Sequence, residues 1–244
     1  MDRNMAGKTF EYDPNDVELR ALFESNREWA AQMVSDDPGY FSRLVTQQLP
    51  NYFWIGCSDS RVPSTQITNL LPGDIFTHRN VANVVSYTDL SCLAVMQFAV
   101  DVLRVRHVIV TGHYDCSGVH VALKHQRVGL ADNWLRHVQD IGKKHERYLG
   151  EALSEQTRYD RLCELNVIES VANVCHTTII QDAWNRGQKL TIHGWVYGVH
   201  DGLLRDLGMT INSMSELAPK MQASLKRYEE EAGEALSGRN WLGK

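Results

Sequence analysis

The sequence predicts an α/β protein with a mostly parallel central β-sheet flanked by helices. Short apolar runs typical of buried strands alternate along the chain with longer segments whose apolar residues recur at helical spacing. This alternation is typical of parallel sheets, because the crossover between two parallel strands usually carries a helix. The chain has no internal repeat, low-complexity tract or long linker, so we expect a single domain over residues 1–244.

The individual elements can be assigned in order from spacing and turn residues. Pro63 suits the first turn of a helix, Pro72-Gly73 marks a turn, and Gly187 follows a long helical segment. Predicted helices cover residues 15–34, 63–70, 88–104, 133–148, 160–186 and 214–237, with another starting at Cys116. Predicted strands cover residues 52–57, 74–80, 107–112 and 189–199. We expect a helical arm over about 15–50, an α/β core over about 51–205 and a C-terminal helix over about 210–238.

The composition excludes several classes of protein. The 244 residues are 43% apolar, and 25 Lys and Arg stand against 30 Asp and Glu, which leaves a net charge of −5. A negative net charge without a basic stripe gives no general attraction to nucleic acid. No apolar run approaches the roughly 18 residues that a membrane-spanning helix needs. We therefore expect a cytoplasmic protein that binds neither nucleic acid nor a membrane.

The five cysteines direct attention to metal binding or catalysis. They are odd in number and widely spaced, which does not suit a disulfide framework. Cys92, Cys163 and Cys175 lie in helix-like segments with no second type of ligand at a useful spacing. We expect these three to be small buried apolar side chains.

The remaining cysteines and one histidine follow predicted strands. Cys57 stands at the end of the first predicted strand, within CSDSR, and His113 and Cys116 follow the third, within GHYDC. Ligand sites of open parallel sheets lie beyond the carboxyl ends of the strands, so neighbouring strands would bring these residues together. Two thiolates and one imidazole suit zinc, and the missing fourth ligand is typical of a catalytic site. The alternative is two buried thiols and a hydrogen-bonded core histidine, since HxxC alone is a weak signal.

Two charged residues strengthen the catalytic interpretation. Zinc with two thiolates is formally neutral, so a nearby group must help to hold hydroxide in place. Asp59 can accept a hydrogen bond from zinc-bound hydroxide, while Arg61 binds the carboxylate through its planar fork and keeps it ionised. A surface salt bridge that contributes little is the alternative.

These residues resemble the β-class carbonic anhydrases, whose signature combines CxDxR after one strand with HxxC after another. The resemblance covers roughly residues 25–205 and includes FWIGCSDSRVPSTQITNLLPGDIFTHRNVAN and GQKLTIHGWVYGVHDGLL. It implies zinc bound by Cys57, His113 and Cys116, with Asp59 and Arg61 as the catalytic pair. The implied reaction is reversible hydration of carbon dioxide to bicarbonate and a proton by attack of zinc-bound hydroxide. The implied fold has four parallel strands and one added strand.

The resemblance also implies regulation and assembly. One branch of the family has a non-catalytic bicarbonate pocket, and Trp54, Arg79 and Tyr197 stand at the matching places. In that branch the aspartate, here Asp59, becomes the fourth zinc ligand in an inactive state, so we expect lower activity at low pH and with bicarbonate. The N-terminal helical arm implies a homodimer, commonly assembled further to a homotetramer. The family usually has a glycine directly after the second cysteine, whereas this chain has Ser117. The resemblance therefore implies the class of reaction but not its rate.

Three other functions remain open at this point. A family relative with the same site hydrolyses a different small electrophile such as CS₂, and the sequence does not show the access route. A cysteine-dependent phosphatase or redox enzyme would need Cys-x₅-Arg or CxxC, and neither is present. A non-catalytic zinc scaffold would leave Asp59 and Arg61 without a role.

Overall fold

The computed structural model describes residues 17–46, 49–150 and 153–237. The chain divides into two compact units, one up to residue 47 and one from residue 48. The first unit contains helices α1 (Val17–Asp36) and α2 (Tyr40–Thr46). Within it, the ring of Trp29 packs edge-on against those of Tyr40 and Phe41. Residues 15–16 and 47–48 of the predicted arm and residue 238 of the predicted C-terminal helix lie outside the described residues, and the domain limits stay a prediction.

The second unit is built on a five-stranded sheet, as predicted. Its strands are β1 (Tyr52–Cys57), β2 (Ile75–Asn80), β3 (His107–His113), β4 (Thr191–Tyr197) and β5 (Leu204–Asp206). The spatial order is β2-β1-β3-β4-β5, in which the first four strands are parallel and β5 is antiparallel to β4. The predicted fold class is therefore confirmed, and β1 and β3 are direct neighbours.

Seven helices of the second unit connect and flank these strands in the described part of the chain. They are α3 (Ser64–Thr68), α4 (Leu90–Gln97), α5 (Ser117–Leu123), α6 (Ala131–Lys144), α7 (Glu155–His176), α8 (Thr178–Asn185) and α9 (Met214–Ser237). None of the helices within the described ranges combines the length and apolarity needed to cross a membrane.

The predicted helix over 160–186 is wrong in one respect, because the chain forms two helices there. Thr177 has an extended backbone, with φ −65° and ψ 145°, and its side chain accepts a hydrogen bond from the N–H of Ile180. A threonine that caps a new helix ends the preceding one, since the cap position itself is not helical. The helix before it also starts earlier than predicted, at Glu155, where Ser154 caps the N–H of Thr157 at 3.1 Å.

Helix α7 packs closely against one face of the sheet, and this contact positions the end of β3. The residues of this face are fully buried: Phe53, Ile55, Val108, Val110, Ile192 and Val196. Two glycines permit the approach of the helix. A Cβ atom on Gly112 would lie 2.6 Å from Val167 Cγ2, and one on Gly194 would lie 3.0 Å from Val171 Cγ2. The residue after Gly112 is His113, so this packing also positions the end of β3.

The opposite face of the sheet carries aromatic and polar side chains. The indole of Trp54 lies over Gly56, where a Cβ atom would collide with it, and its ring meets that of Trp195 edge-on at 6.4 Å. Towards the other end of the strands, His107 Nδ1 lies 3.0 Å from His193 Nε2. Burial lowers the pKa of both histidines. The nearby charge of Arg106 lowers the pKa of His107 further, and His107 does the same to His193.

Candidate metal centre

Parallel pairing of β1 with β3 brings together three side chains that are distant in sequence. Cys57 is the last residue of β1 and His113 the last of β3, while Cys116 precedes the first residue of α5. The two sulfurs and an imidazole nitrogen all lie within 4.8 Å of one another, and all three residues are buried. The convergence predicted from the strand ends is present in the structure.

The imidazole of His113 has an unprotonated nitrogen close to the two sulfurs. Its Nδ1 lies 2.8 Å from the backbone oxygen of Tyr114. A carbonyl oxygen can only accept, so Nδ1 carries the hydrogen and Nε2 carries the lone pair. This Nε2 is buried and has no hydrogen-bond partner among the described residues. An orphaned buried lone pair of this kind fits a metal ligand whose tautomer is set by its other nitrogen.

The two sulfurs have the separation that a shared tetrahedral ion requires. Cys57 Sγ and Cys116 Sγ lie 3.9 Å apart. Two thiolates on one zinc ion, each with a bond of about 2.3 Å, would be separated by about 3.8 Å. The hydrogen bond from Cys116 lowers the pKa of Cys57, and the same bond together with burial raises the pKa of Cys116.

The helix start at Cys116 has little influence on the ionisation of its thiol. The N–H of Val119 lowers the pKa of Cys116, but this effect is the smallest of those acting on the thiol. A cation between the sulfurs would offset the repulsion between two thiolates and so favour loss of both thiol protons. The donor set fits zinc by charge, softness and spacing.

Asp59 and Arg61 form a bidentate pair at the edge of this group. Arg61 Nε donates to Asp59 Oδ1 at 2.9 Å, and Arg61 Nη2 donates to Oδ2 at 2.7 Å. The backbone N–H of Arg61 also donates to Oδ1, at 2.9 Å. These bonds hold the pKa of Asp59 at about 2, so the carboxylate is ionised and can only accept hydrogen bonds. Its Oδ2 lies 3.8 Å from the bare Nε2 of His113.

Further hydrogen bonds brace the loop that carries these groups. Arg61 Nη2 also donates to the backbone oxygen of Asp115, at 3.0 Å. Arg79 Nε donates to the backbone oxygen of Cys57 at 2.8 Å, and its Nη2 donates to that of Asp59 at 2.5 Å. Sequence reasoning did not find this role of Arg79, because backbone acceptors leave no pattern in a sequence.

The group opens onto a surface depression that a small substrate can enter. The depression is lined by Cys57, Ser58, Asp59, Ser60, Arg61, Val81, Asp115, Cys116, Ser117 and Gly118. Val81 is 43% exposed and gives the depression an apolar wall. A Cβ atom on Gly118 would lie 3.0 Å from Val81 Cγ1, so a glycine at this position lets α5 approach that wall. Ser117 adds an exposed hydroxyl to the rim.

The three residues of the predicted bicarbonate pocket lie on one face of the sheet but on three different strands. Trp54 on β1 and Tyr197 on β4 are 1% and 9% exposed, while Arg79 on the edge strand β2 is exposed. Arg79 is the register partner of Gly56, which places it beside the indole of Trp54. Strand β3 separates β1 from β4, and Tyr197 is paired there with His113.

The other three cysteines are fully buried, as expected from the sequence. Burial raises the pKa of Cys92 and Cys175 to about 12, and it raises that of Cys163 well above the usual range. Their thiols are therefore protonated and unreactive in the absence of a cation. The expectation that none has a second ligand type nearby fails for Cys92, which lies against His78 and Asp89.

A group of three residues that could hold a metal, beside a carboxylate–guanidinium pair at the carboxyl edge of a parallel sheet, is typical of metal-dependent enzymes. A family model described as carbonic anhydrase matches residues 52–204. The chain therefore belongs to the carbonic anhydrase family, and its structural relatives place it in the β class. The resemblance seen in the motifs is confirmed, and with it carbonic anhydrase activity.

Individual relatives agree with this assignment. A carbonic anhydrase of Emericella nidulans is 44% identical over 188 residues, which cover 77% of this chain and 82% of the relative. The β-carbonic anhydrase of Coccomyxa, solved in complex with acetazolamide, superposes with a TM-score of 0.80 at 37% identity and covers 89% of this chain and 98% of its own. One of two tetrameric β-carbonic anhydrases from Sordaria macrospora superposes with a TM-score of 0.75 at 35% identity, over 80% of this chain and 98% of that one.

Proposed function

We propose that this chain catalyses the zinc-dependent, reversible hydration of carbon dioxide to bicarbonate and a proton. Cys57, His113 and Cys116 hold the zinc, and Asp59 and Arg61 are the catalytic pair. The observation that carries the proposal is the buried Nε2 of His113, which has no hydrogen-bond partner within the described part of the chain and lies beside two sulfurs 3.9 Å apart. Zinc held there supplies a Lewis acid that lowers the pKa of water towards about 7.

The protein groups around this position orient the reactants. Asp59 cannot donate, because its pKa is about 2, so its Oδ2 accepts the hydrogen of the attacking hydroxyl and points the oxygen lone pair at the substrate. Arg61 holds the carboxylate in this orientation through three hydrogen bonds. The exposed side of Val81 offers carbon dioxide an apolar surface in the same depression.

The test is carbon dioxide hydration by the purified protein at pH 8 to 9, before and after zinc removal with a chelator. We expect activity to disappear with the metal and to return with added zinc. Asp59→Asn should lower the rate by about 100-fold or more, since one oriented acceptor is lost. Asp140→Asn, which changes an exposed carboxylate on α6, is the matched control and should leave the rate unchanged. A zinc-loaded protein without activity would overturn the proposal.

We further propose that low pH and bicarbonate reduce the activity. Bicarbonate would act from a non-catalytic pocket formed by Trp54, Arg79 and Tyr197. The contacts of Arg79 support it, because its guanidinium holds the backbone oxygens of Cys57 and Asp59. An anion that binds Arg79 competes with these two hydrogen bonds. Release of the loop would let Asp59 leave Arg61 and serve as the fourth zinc ligand, which would block the site.

The regulation can be tested separately from the chemistry. Tyr197→Phe should flatten the fall of activity with decreasing pH and weaken inhibition by bicarbonate, while the rate at pH 9 is retained. Tyr87→Phe, which removes another tyrosine hydroxyl, one bound to Asn173, is the control. An unchanged pH profile in Tyr197→Phe would count against the pocket.

We also propose that the chain assembles as a homo-oligomer, either a dimer or a tetramer. The tetrameric enzyme of Sordaria macrospora supports this. Light scattering on the eluting protein measures the mass directly, and a mass of 27.8 kDa, that of one chain, would exclude it. The cytoplasmic location stays a prediction from the sequence.

A further inference from the structure

A second group of side chains of the types that hold metal ions is formed by residues other than the proposed zinc ligands. His78 is in the edge strand β2, whereas Asp89 and Cys92 lie at the start of α4. One atom of each side chain lies within 4.8 Å of the other two. His78 is 8% exposed, Cys92 is fully buried, and the side chain of Asp89 is 15% exposed. This His-Asp-Cys group has no part in the proposed hydration reaction.

The contact with Asn80 indicates which nitrogen of His78 carries the lone pair. Asn80 Nδ2 donates to the backbone oxygen of Val84 at 2.8 Å, which fixes the orientation of the amide. The same Nδ2 lies 3.4 Å from His78 Nε2. Because Nδ2 is a donor, Nε2 is the acceptor, and the imidazole hydrogen is on Nδ1.

The carboxylate of Asp89 is held in place by the helix that it caps. Its Oδ1 accepts hydrogen bonds from the backbone N–H groups of Ser91 at 3.1 Å and Cys92 at 3.2 Å. Its Oδ2 faces His78 Nε2 at 3.9 Å, which is too long for a hydrogen bond. The carboxylate oxygen and the imidazole nitrogen therefore lie close together without a hydrogen bond between them, while the single lone pair of Nε2 is shared with the long contact to Asn80.

A cation between the carboxylate and the imidazole nitrogen would bind both, and it would compensate for the partial burial of the carboxylate charge. The thiol of Cys92 completes the group as a third ligand. Imidazole, carboxylate and thiolate together carry a charge of −2, the same as the two thiolates and imidazole of the first site. Nitrogen, oxygen and sulfur donors in one site suit zinc among the common divalent ions.

We propose that His78, Asp89 and Cys92 bind a second zinc ion, independent of the proposed catalytic one. Binding forms three bonds to the metal, breaks the S–H bond of Cys92, whose proton leaves to solvent, and replaces the long hydrogen bond from Asn80 to His78 Nε2, because that nitrogen has a single lone pair. The ion links the edge strand β2 to the start of α4, so its function is to fasten these two elements.

The test is the zinc content of the full chain after equilibration with zinc and removal of the excess. We expect two zinc ions per wild-type chain and one in Cys92→Ala. Cys175→Ala, which removes another fully buried cysteine, is the matched control and should keep two. Anomalous scattering at the zinc absorption edge should show two peaks in the wild type, one of them between His78 and Asp89.

Asp89→Asn keeps the proposal testable if Cys92→Ala fails to fold. Asparagine retains the oxygen that caps α4 but removes the charge, so this variant should fold and lose the second ion. A single zinc ion in the wild type, or two in both variants, would overturn the second site. A wild type that binds two ions and does not hydrate carbon dioxide would overturn the proposed function alone.

Discussion

Replacing Gly112 by alanine tests whether helix α7 holds the end of β3 in place. The added Cβ atom would lie 2.6 Å from Val167 Cγ2, well inside ordinary contact, and 3.5 Å from the backbone oxygen of Cys163. Either the helix or the strand must move, because Val167 is fully buried and has no free space. Overpacking of this kind costs about 1–3 kcal/mol of unfolding free energy.

The same movement should weaken metal binding, because His113 follows Gly112 directly. We expect zinc affinity to fall by about tenfold, in the range seen when the support of a ligand is disturbed. Urea unfolding measures the stability, and competition with a chromophoric chelator measures the affinity.

Gly142→Ala is the control for this substitution. A Cβ atom there would meet Leu162 and Leu149 at 3.8 and 3.9 Å, which is ordinary contact within helix α6. It should stabilise the protein by about 0.5–1 kcal/mol, since alanine restricts the unfolded chain. Equal stability of the two variants, or full zinc affinity in Gly112→Ala, would refute the argument.

Three further predictions concern charge, pH and metal. Arg61→Gln should lower the rate of carbon dioxide hydration by about tenfold or more and keep the zinc, because Asp59 loses its bidentate partner. Arg61→Lys should retain more activity, and equal rates in the two variants would contradict this. Burial lowers the pKa of His107 and His193, so below about pH 6.5 the unfolded chain binds more protons than the folded one. The unfolding free energy, measured in urea, should therefore fall as the pH drops from about 7 to about 5.5. Alkylation followed by mass spectrometry should modify Cys57 and Cys116 only after zinc is chelated; modification of the zinc-loaded protein would argue against coordination.

Much of the fold could be predicted because each signal is local and strong. The run YFWIGC is a buried apolar strand in any context, and the structure has β1 at Tyr52–Cys57 as predicted. The break at Thr177 was missed because apolar periodicity continues through it, and a single capping side chain ends the helix. Strand β5 has three residues, too few to show a period, and was expected only from the family resemblance.

The candidate site was predictable as far as it depends on strand ends. Cys57 and His113 end neighbouring parallel strands, so the topology brings them together. The bracing by Arg79 was not predictable, since it binds backbone oxygens. Nor was the proximity of Cys92 to His78, because it depends on how the loop between β2 and α4 folds back, and no short-range spacing encodes that path.

The hydrogen bond from His113 to the backbone oxygen of Tyr114 has a consequence for variation in this enzyme. Every amino acid supplies the same carbonyl group, so the tautomer of the ligand does not depend on which side chain follows it. Substitutions at position 114 can alter the phenol contact with Glu164 and still leave the imidazole correctly protonated for a metal. Related chains are thus free to diverge at this position without losing the geometry of the neighbouring ligand.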